Sequence, residues 1–147
     1  MSERRHVAFL FIGGAHHVFH TMPVACALSM RAGVEVTAFA ADAETKGTIE
    51  EVLTDHPGAK VHVERLKRYA LIDKLGRPSL TKLPTLWRNR RRLAAFDALV
   101  VAECTSIALR RMGVRRSRFI CLPHGAGLLW RQAGGGTKLF NVFHLFF

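Results

Sequence analysis

Short apolar runs that are rich in β-branched and aromatic residues alternate along this chain with segments of helical pattern. The strand-like runs are residues 6–12, 34–41, 60–66, 97–103 and 118–125, and the helical segments are residues 24–33, 42–55, 84–96 and 104–113. Parallel strands need a crossover between them, which is usually a helix. The alternation therefore predicts an α/β fold with a doubly wound, mostly parallel, Rossmann-like sheet.

Local signals refine this prediction. The third run alternates apolar and polar residues, which favours a place near the edge of the sheet. Residues 13–23 begin with two glycines and are predicted as a loop, and residues 68–83 are predicted as irregular. Pro84 is expected in the first turn of the helix that follows.

The length of the chain fits one ordinary domain, because 147 residues of which 49% are hydrophobic can bury a single core. Cys26, Cys104 and Cys121 are odd in number and far apart, which predicts reduced, buried thiols in a cytoplasmic protein. Two arginines before the first apolar run are also seen in signal peptides. Glu3 and the histidines that follow the run favour a first strand instead.

Basic residues outnumber acidic ones by 22 to 11, and the excess lies in the second half of the chain. Residues 65–118 contain 15 basic and 3 acidic residues, whereas residues 1–64 contain 5 and 8. The run "RNRRR" lies in an amphipathic helical pattern, which predicts contact with a polyanion or with an anionic membrane, at whose inner face the protein would be peripheral. The contact residues predicted are Trp87, Arg88, Arg90, Arg91 and Arg92. A solvated helix face is the alternative, and nucleic acid is disfavoured because aromatic residues do not interleave with the basic ones.

Polar and glycine residues follow three of the predicted strands. They are Gly13, Gly14, His16 and His17 after the first strand, Glu103 after the fourth, and His124 and Gly125 after the fifth. The carboxyl ends of parallel strands meet at one edge of the sheet, so these residues form the candidate ligand site. His124 would supply a titratable group there, and a structural hydrogen bond is its alternative role. Glu103 is equally suited to cap a helix, and "GGAHH" to form a plain tight turn.

Two common site types are not favoured. "GGAHH" lacks the third glycine of the dinucleotide fingerprint and the Gly-Lys-Ser/Thr of a phosphate loop. His16 and His20 are four residues apart and share a helix face if this segment is helical, but the zinc-protease pattern needs Glu where this chain has His17. We therefore predict no cofactor and no metal.

Three segments together resemble the N-terminal half of two-domain, GT-B-like transferases. They are the opening "FLFIGGAHHVFHTMPVACAL", the fourth strand "FDALVVAE" and the ending "ICLPHGAG", and the resemblance covers about residues 6–127. The most similar group is the CDP-glycerol glycerophosphotransferase-like proteins, and the UDP-N-acetylglucosamine 2-epimerases have a related shape. A His-Gly pair at such a strand end belongs to the catalytic centre of the first group, so the resemblance implies a catalytic His124 beside Gly125. Pro123 stands where that group often has an aromatic residue.

The resemblance implies a glycosyl- or glycerophosphotransferase that uses a nucleotide-activated donor and an anionic or hydroxyl acceptor of the cell envelope or a polysaccharide. Residues 1–127 would be its acceptor-side domain. In the family a second Rossmann-like domain supplies most of the nucleotide site. The atypical tail, residues 128–147, is interpreted as a truncated or frame-shifted end, and the chain alone is expected to be inactive. A tail that packs on the domain is the alternative.

Two other functions stay open at this point. One is a UDP-N-acetylglucosamine 2-epimerase-like domain, in which the same cleft would bind a UDP-sugar. The other is a non-catalytic polyanion-binding module that uses the basic half of the chain.

Overall fold

The computed structural model describes residues 4–70, 78–101 and 105–122. Strands and helices alternate along these residues. In chain order they are β1 (Arg5–Phe11), α1 (His16–Ser29), β2 (Val34–Ala40), α2 (Ala43–Thr54), β3 (Val61–Arg65), α3 (Pro78–Leu93), β4 (Ala98–Val101), α4 (Thr105–Arg111) and β5 (Arg118–Cys121).

The strands form one sheet in the order β3-β2-β1-β4-β5, and every neighbouring pair is parallel. The chain builds outward from β1 through β2 to β3, and then crosses back to place β4 on the other side of β1. All carboxyl ends therefore lie at the same edge of the sheet. The predicted α/β fold with a mostly parallel sheet is confirmed, as is the position of β3 at an edge.

Apolar residues cover both faces of the sheet, which explains the nearly continuous apolar runs of the central strands. On one face, Phe9 and Phe11 of β1 pack with buried residues of α1 and α2, such as Met22 and Ile49. On the other face, Leu10 of β1 packs in a second cluster with buried leucines of α3 and α4. Helices on both faces make the sheet doubly wound, as predicted.

Helix α1 begins earlier than the sequence predicts. Residues 13–23 were predicted as a loop, but the helix starts at His16 and contains Pro23. Val18, Met22 and Ala25 are fully buried and recur at helical spacing on both sides of the proline. Pro23 itself is exposed. The burial of this apolar stripe offsets the free-energy cost of the backbone hydrogen bond that Pro23 cannot donate inside the helix.

Helix α3 also begins earlier than predicted. Its first residue is Pro78, and Pro84 lies inside the helix rather than in its first turn. Proline is well suited to the first helical position, where the backbone N–H has no partner within the helix. The prediction that residues 68–83 are irregular is therefore wrong for residues 78–83.

A buried asparagine attaches α3 to the chain that follows β3. Asn89 is 1% exposed, and its Oδ1 accepts a hydrogen bond of 3.0 Å from the backbone N–H of Lys67. Its Nδ2 donates to the carbonyl oxygens of Lys67 at 2.8 Å and Thr85 at 2.7 Å. The side chain thus satisfies both backbone groups of Lys67.

We predict that Asn89→Ala lowers the free energy of unfolding by about 1–3 kcal/mol, because it leaves the N–H and C=O of Lys67 without these partners. Urea unfolding followed by circular dichroism measures the change. Arg91→Ala, on the exposed side of the same helix, is the control and should change stability by less than about 0.5 kcal/mol. Equal stabilities of the two variants would contradict the role of Asn89.

Glu35 of β2 lies at the opposite, amino edge of the sheet. It is next to Arg4, which precedes β1, and to His6, which is near the start of β1. Its carboxylate is 2.7 Å from Arg4 Nη1 and 3.3 Å from His6 Nδ1. The hydrogen bond from Arg4 is the main cause that lowers the pKa of Glu35, and the charges of His6, Arg4 and His62 act in the same direction.

This lowered pKa predicts a pH dependence of stability. A carboxylate whose pKa is lower in the folded state stabilises the fold above its unfolded pKa, and that contribution disappears as the pH falls through the folded pKa. Glu35→Gln should therefore be less stable than the parent at neutral pH and equally stable in acid. The midpoints of urea unfolding, measured from neutral to acidic pH, test this prediction, and a substitution of an exposed glutamate, Glu51→Gln, is the control. A difference between Glu35→Gln and the parent that persists in acid would contradict the assignment.

Candidate functional site

The direction of chain connection reverses between β1 and β4. From β1 the chain continues through α1 to β2 on one side, while β4 lies on the other side with Leu10 paired to Val101. In open parallel sheets this reversal leaves a crevice beyond the carboxyl ends of the two strands, and ligands bind there. The loop after β1 borders the crevice.

That loop makes its turn at Gly14, whose φ is +117°. The carbonyl oxygen of Gly14 accepts a 3.2 Å hydrogen bond from the backbone N–H of His17, at the start of α1. A Cβ on Gly14 would lie 3.2 Å from Nδ1 of His16. Glycine is therefore needed here for its backbone conformation and for the close approach of the His16 ring.

The first turn of α1 carries no negative charge of its own. Its N-cap residue, Ala15, makes no side-chain hydrogen bond to the helix, and the first turn contains no acidic residue. The first N–H groups of a helix and its dipole favour an anion at this end. The electrostatics of the turn are thus suited to a phosphate or carboxylate.

The histidines of α1 differ in their exposure. His16 and His20 are both exposed and lie four residues apart on the helix, whereas His17 is 2% exposed. The rings of His16 and His17 are 4.0 Å apart between centroids and inclined by 37°. His16 is therefore the member of the pair that faces solvent at the crevice. Within the described ranges, no group of three or more His, Cys, Asp or Glu residues is arranged to hold a metal ion.

The other half of the predicted site lies outside the described residues: Glu103, His124 and Gly125. The strands that lead to these residues are described. Val101 at the end of β4 is paired with Cys121 at the end of β5, and the N–H of Leu122 donates to the carbonyl oxygen of Val101 at 3.0 Å. Both strands therefore end at the same edge as the Gly14 turn.

Two charged residues at this edge were not among the predicted site residues. Asp42 follows β2 and caps α2, because its carboxylate accepts a 2.8 Å hydrogen bond from the N–H of Thr45. Nη1 of Arg68, after β3, is 3.4 Å from the carbonyl oxygen of Ala41 and 4.0 Å from the Asp42 carboxylate. The sequence offered one signal that could have placed Arg68 at this edge, because it is a basic residue that closely follows the third predicted strand.

The predicted basic contact residues of α3 have different surroundings. Arg92 forms an ion pair with Glu64 and lies over the ring of Phe39, so its charge is compensated. Arg88 and Arg90 stack on aromatic rings, and Arg91 is exposed.

No helix among the described residues is long and apolar enough to cross a membrane. Of the cysteines, Cys26 is buried, which raises the pKa of its thiol, and Cys121 is only half-buried.

The Gly14 turn can be tested by a matched pair of substitutions. Gly14→Ala should strain the backbone by about 1–3 kcal/mol and also displace the His16 ring. Gly113 has a φ of +93° with open space around it, so Gly113→Ala should produce strain without crowding. We expect only Gly14→Ala to shift the NMR resonances of the His16 ring, and both variants to unfold at lower urea. An unshifted His16 in Gly14→Ala would contradict the close approach.

No protein-family model matches this chain, and no curated protein matches it either.

Proposed function

We propose that this chain forms the acceptor-side domain of a nucleotide-activated transferase, which moves a glycosyl or glycerophosphoryl group to a cell-envelope or polysaccharide acceptor. The observation that supports the proposal is the reversal of connection between β1 and β4, beside the Gly14 turn, because ligands of open parallel sheets bind at such a reversal. The transferase class comes from the resemblance of residues 6–127 to GT-B-like N-terminal halves.

The electrostatics of this edge support an anionic substrate. The first turn of α1 carries histidines and no acid, and its N–H groups favour a phosphate. The carboxylate of Asp42 accepts a hydrogen bond from the N–H of Thr45 and lies 4.0 Å from Arg68, which partly compensates its negative charge. A phosphate-bearing acceptor suits these surroundings.

His124 is the proposed general base. In the sequence it lies two residues after Leu122, whose N–H donates to the carbonyl oxygen of Val101 at the end of β4. His124 would take the proton of the acceptor hydroxyl while the hydroxyl oxygen bonds to the donor's glycosyl carbon or glycerol-bearing phosphorus. The bond from that atom to the leaving phosphate oxygen breaks, and the nucleotide departs with the electron pair.

The proposal is tested by NMR titration of the isotopically labelled chain with glycerol 3-phosphate, which mimics a phosphorylated acceptor, and separately with CDP-glycerol and UDP-N-acetylglucosamine. We expect glycerol 3-phosphate to shift the resonances of Gly13, Gly14, His16 and His124, and to leave those of the amino edge, such as Glu35, unchanged. His124→Asn should weaken this binding only slightly.

The second test measures turnover in any assembly in which the chain supports transfer. There His124→Asn and His124→Ala should both reduce turnover about 10²- to 10⁴-fold, because neither Asn nor Ala can accept the proton.

His62→Asn, on the edge strand β3, is the matched control and should keep full turnover. Retained activity in His124→Asn would make that histidine a structural hydrogen-bond partner. If UDP-N-acetylglucosamine shifts the resonances of the crevice residues and the other two ligands do not, the epimerase-like function is favoured. Shifts confined to the arginines of α3, produced only by a polyanion, would favour a non-catalytic binding module.

A further inference from the structure

The outward side of α3 combines exposed apolar side chains with arginines. Leu83 and Trp87 are 55% and 49% exposed, whereas Leu86 and Leu93 on the inward side are fully buried. Leu83, Trp87 and Arg91 are spaced four residues apart, so they lie in one stripe along the helix. We call this stripe, with the neighbouring Arg88, Arg90 and Tyr69, the outer face of α3.

Two arginines of the outer face are stacked on its aromatic rings. The guanidinium of Arg90 lies 3.8 Å from the centroid of the Trp87 ring and also donates to the Trp87 carbonyl oxygen at 2.8 Å. The guanidinium of Arg88 lies 4.5 Å from the centroid of the Tyr69 ring. Tyr69 is 36% exposed. Each pair therefore presents a positive charge and an aromatic surface to solvent at the same place.

The described chain segments that form the outer face carry charge of one sign. Residues 65–70 and 78–96 include eight basic residues and no acidic one. Glu64 lies next to this region, but it forms an ion pair with the half-exposed Arg92, which is not part of the outer face. Arg88, Arg90 and Arg91 therefore give the outer face a positive potential that complements an anionic surface.

The apolar residues decide between a membrane and a nucleic acid. Leu83 is aliphatic and offers neither a charge nor a hydrogen bond to a phosphodiester backbone. The ring of Trp87 already carries the Arg90 guanidinium on one face, which leaves less of it for base stacking. Tryptophan, leucine and arginine on one side of a helix are instead typical of segments that lie in the interface of an anionic bilayer.

We propose that the outer face of α3 docks the protein onto an anionic phospholipid bilayer. Leu83 and Trp87 enter the boundary between headgroups and acyl chains, and Arg88, Arg90 and Arg91 bind lipid phosphates. The proposal rests on the exposure, stacking and charge of this helix. It is therefore independent of the transferase function and of His124.

The experiment is co-sedimentation of the full chain with vesicles, one set of pure phosphatidylcholine and another in which one third of the lipid is phosphatidylglycerol. We expect binding to the anionic vesicles that weakens as salt is added, and little binding to the neutral ones. The double variant Arg88→Gln, Arg91→Gln should bind the anionic vesicles about 20- to 30-fold more weakly, at about fivefold per arginine. In a Trp130→Phe background, fluorescence from Trp87 should shift to shorter wavelength on binding.

The control is Arg115→Gln, Arg116→Gln, which removes the same charge from exposed residues just before β5, at the amino edge of the sheet. This control should bind nearly as well as the parent, and Leu83→Ser should bind less well at unchanged charge. Circular dichroism establishes that each variant is folded. Equal losses in the two arginine pairs, or an unshifted Trp87 fluorescence, would overturn the proposal. Displacement from vesicles by a DNA duplex that binds through Arg88 and Arg91 would assign the face to nucleic acid instead.

Discussion

The structure depends on the parallel pairing of β1 with two neighbours, β2 on one side and β4 on the other. Such a strand has all its backbone groups bonded within the sheet and both of its faces covered by helices, so it must be apolar throughout. Phe9 and Leu10 show this directly, because successive residues of the strand enter the two different cores. The same pairing brings the end of β1, and therefore the Gly14 turn, to the side of β4.

The electrostatic character of the carboxyl edge follows from how its few charged side chains are used. Asp42 would place a negative charge there, but its carboxylate serves as the cap of α2 and lies beside Arg68. The first turn of α1 itself contains no acidic residue, and its N-cap residue Ala15 makes no side-chain hydrogen bond to the helix. Among the described residues of this edge, the start of α1 and Arg68 are the features that favour an anion.

The sequence predicted the strands well because each is a local β-prone run, but apart from the edge position of the third strand it did not predict their order in the sheet. Helix starts were predicted poorly where proline was involved. Pro23 and Pro84 are locally unfavourable within helices, and the burial of residues such as Met22 and Leu86, which offsets them, is a property of the tertiary structure. Contacts between distant residues, such as Asn89 with Lys67 or Arg68 with Asp42, leave no periodic signal. At the candidate site, the sequence grouped Gly14 and His16 correctly at the carboxyl edge, but it could not distinguish exposed His16 from buried His17.

The strand order also has a consequence for how the chain folds. Strands β1, β2 and β3 are consecutive in sequence and adjacent in space, so their pairing closes only short loops. The pairing of β1 with β4 must close a much longer one, as the 2.7 Å bond between the N–H of His6 and the carboxylate of Asp97, 91 residues apart, illustrates. Loop-closure entropy therefore favours early formation of the β1-β2-β3 half and late addition of β4 and β5. The carboxyl edge between β1 and β4, which needs both halves, would then be completed only in the last stage of folding.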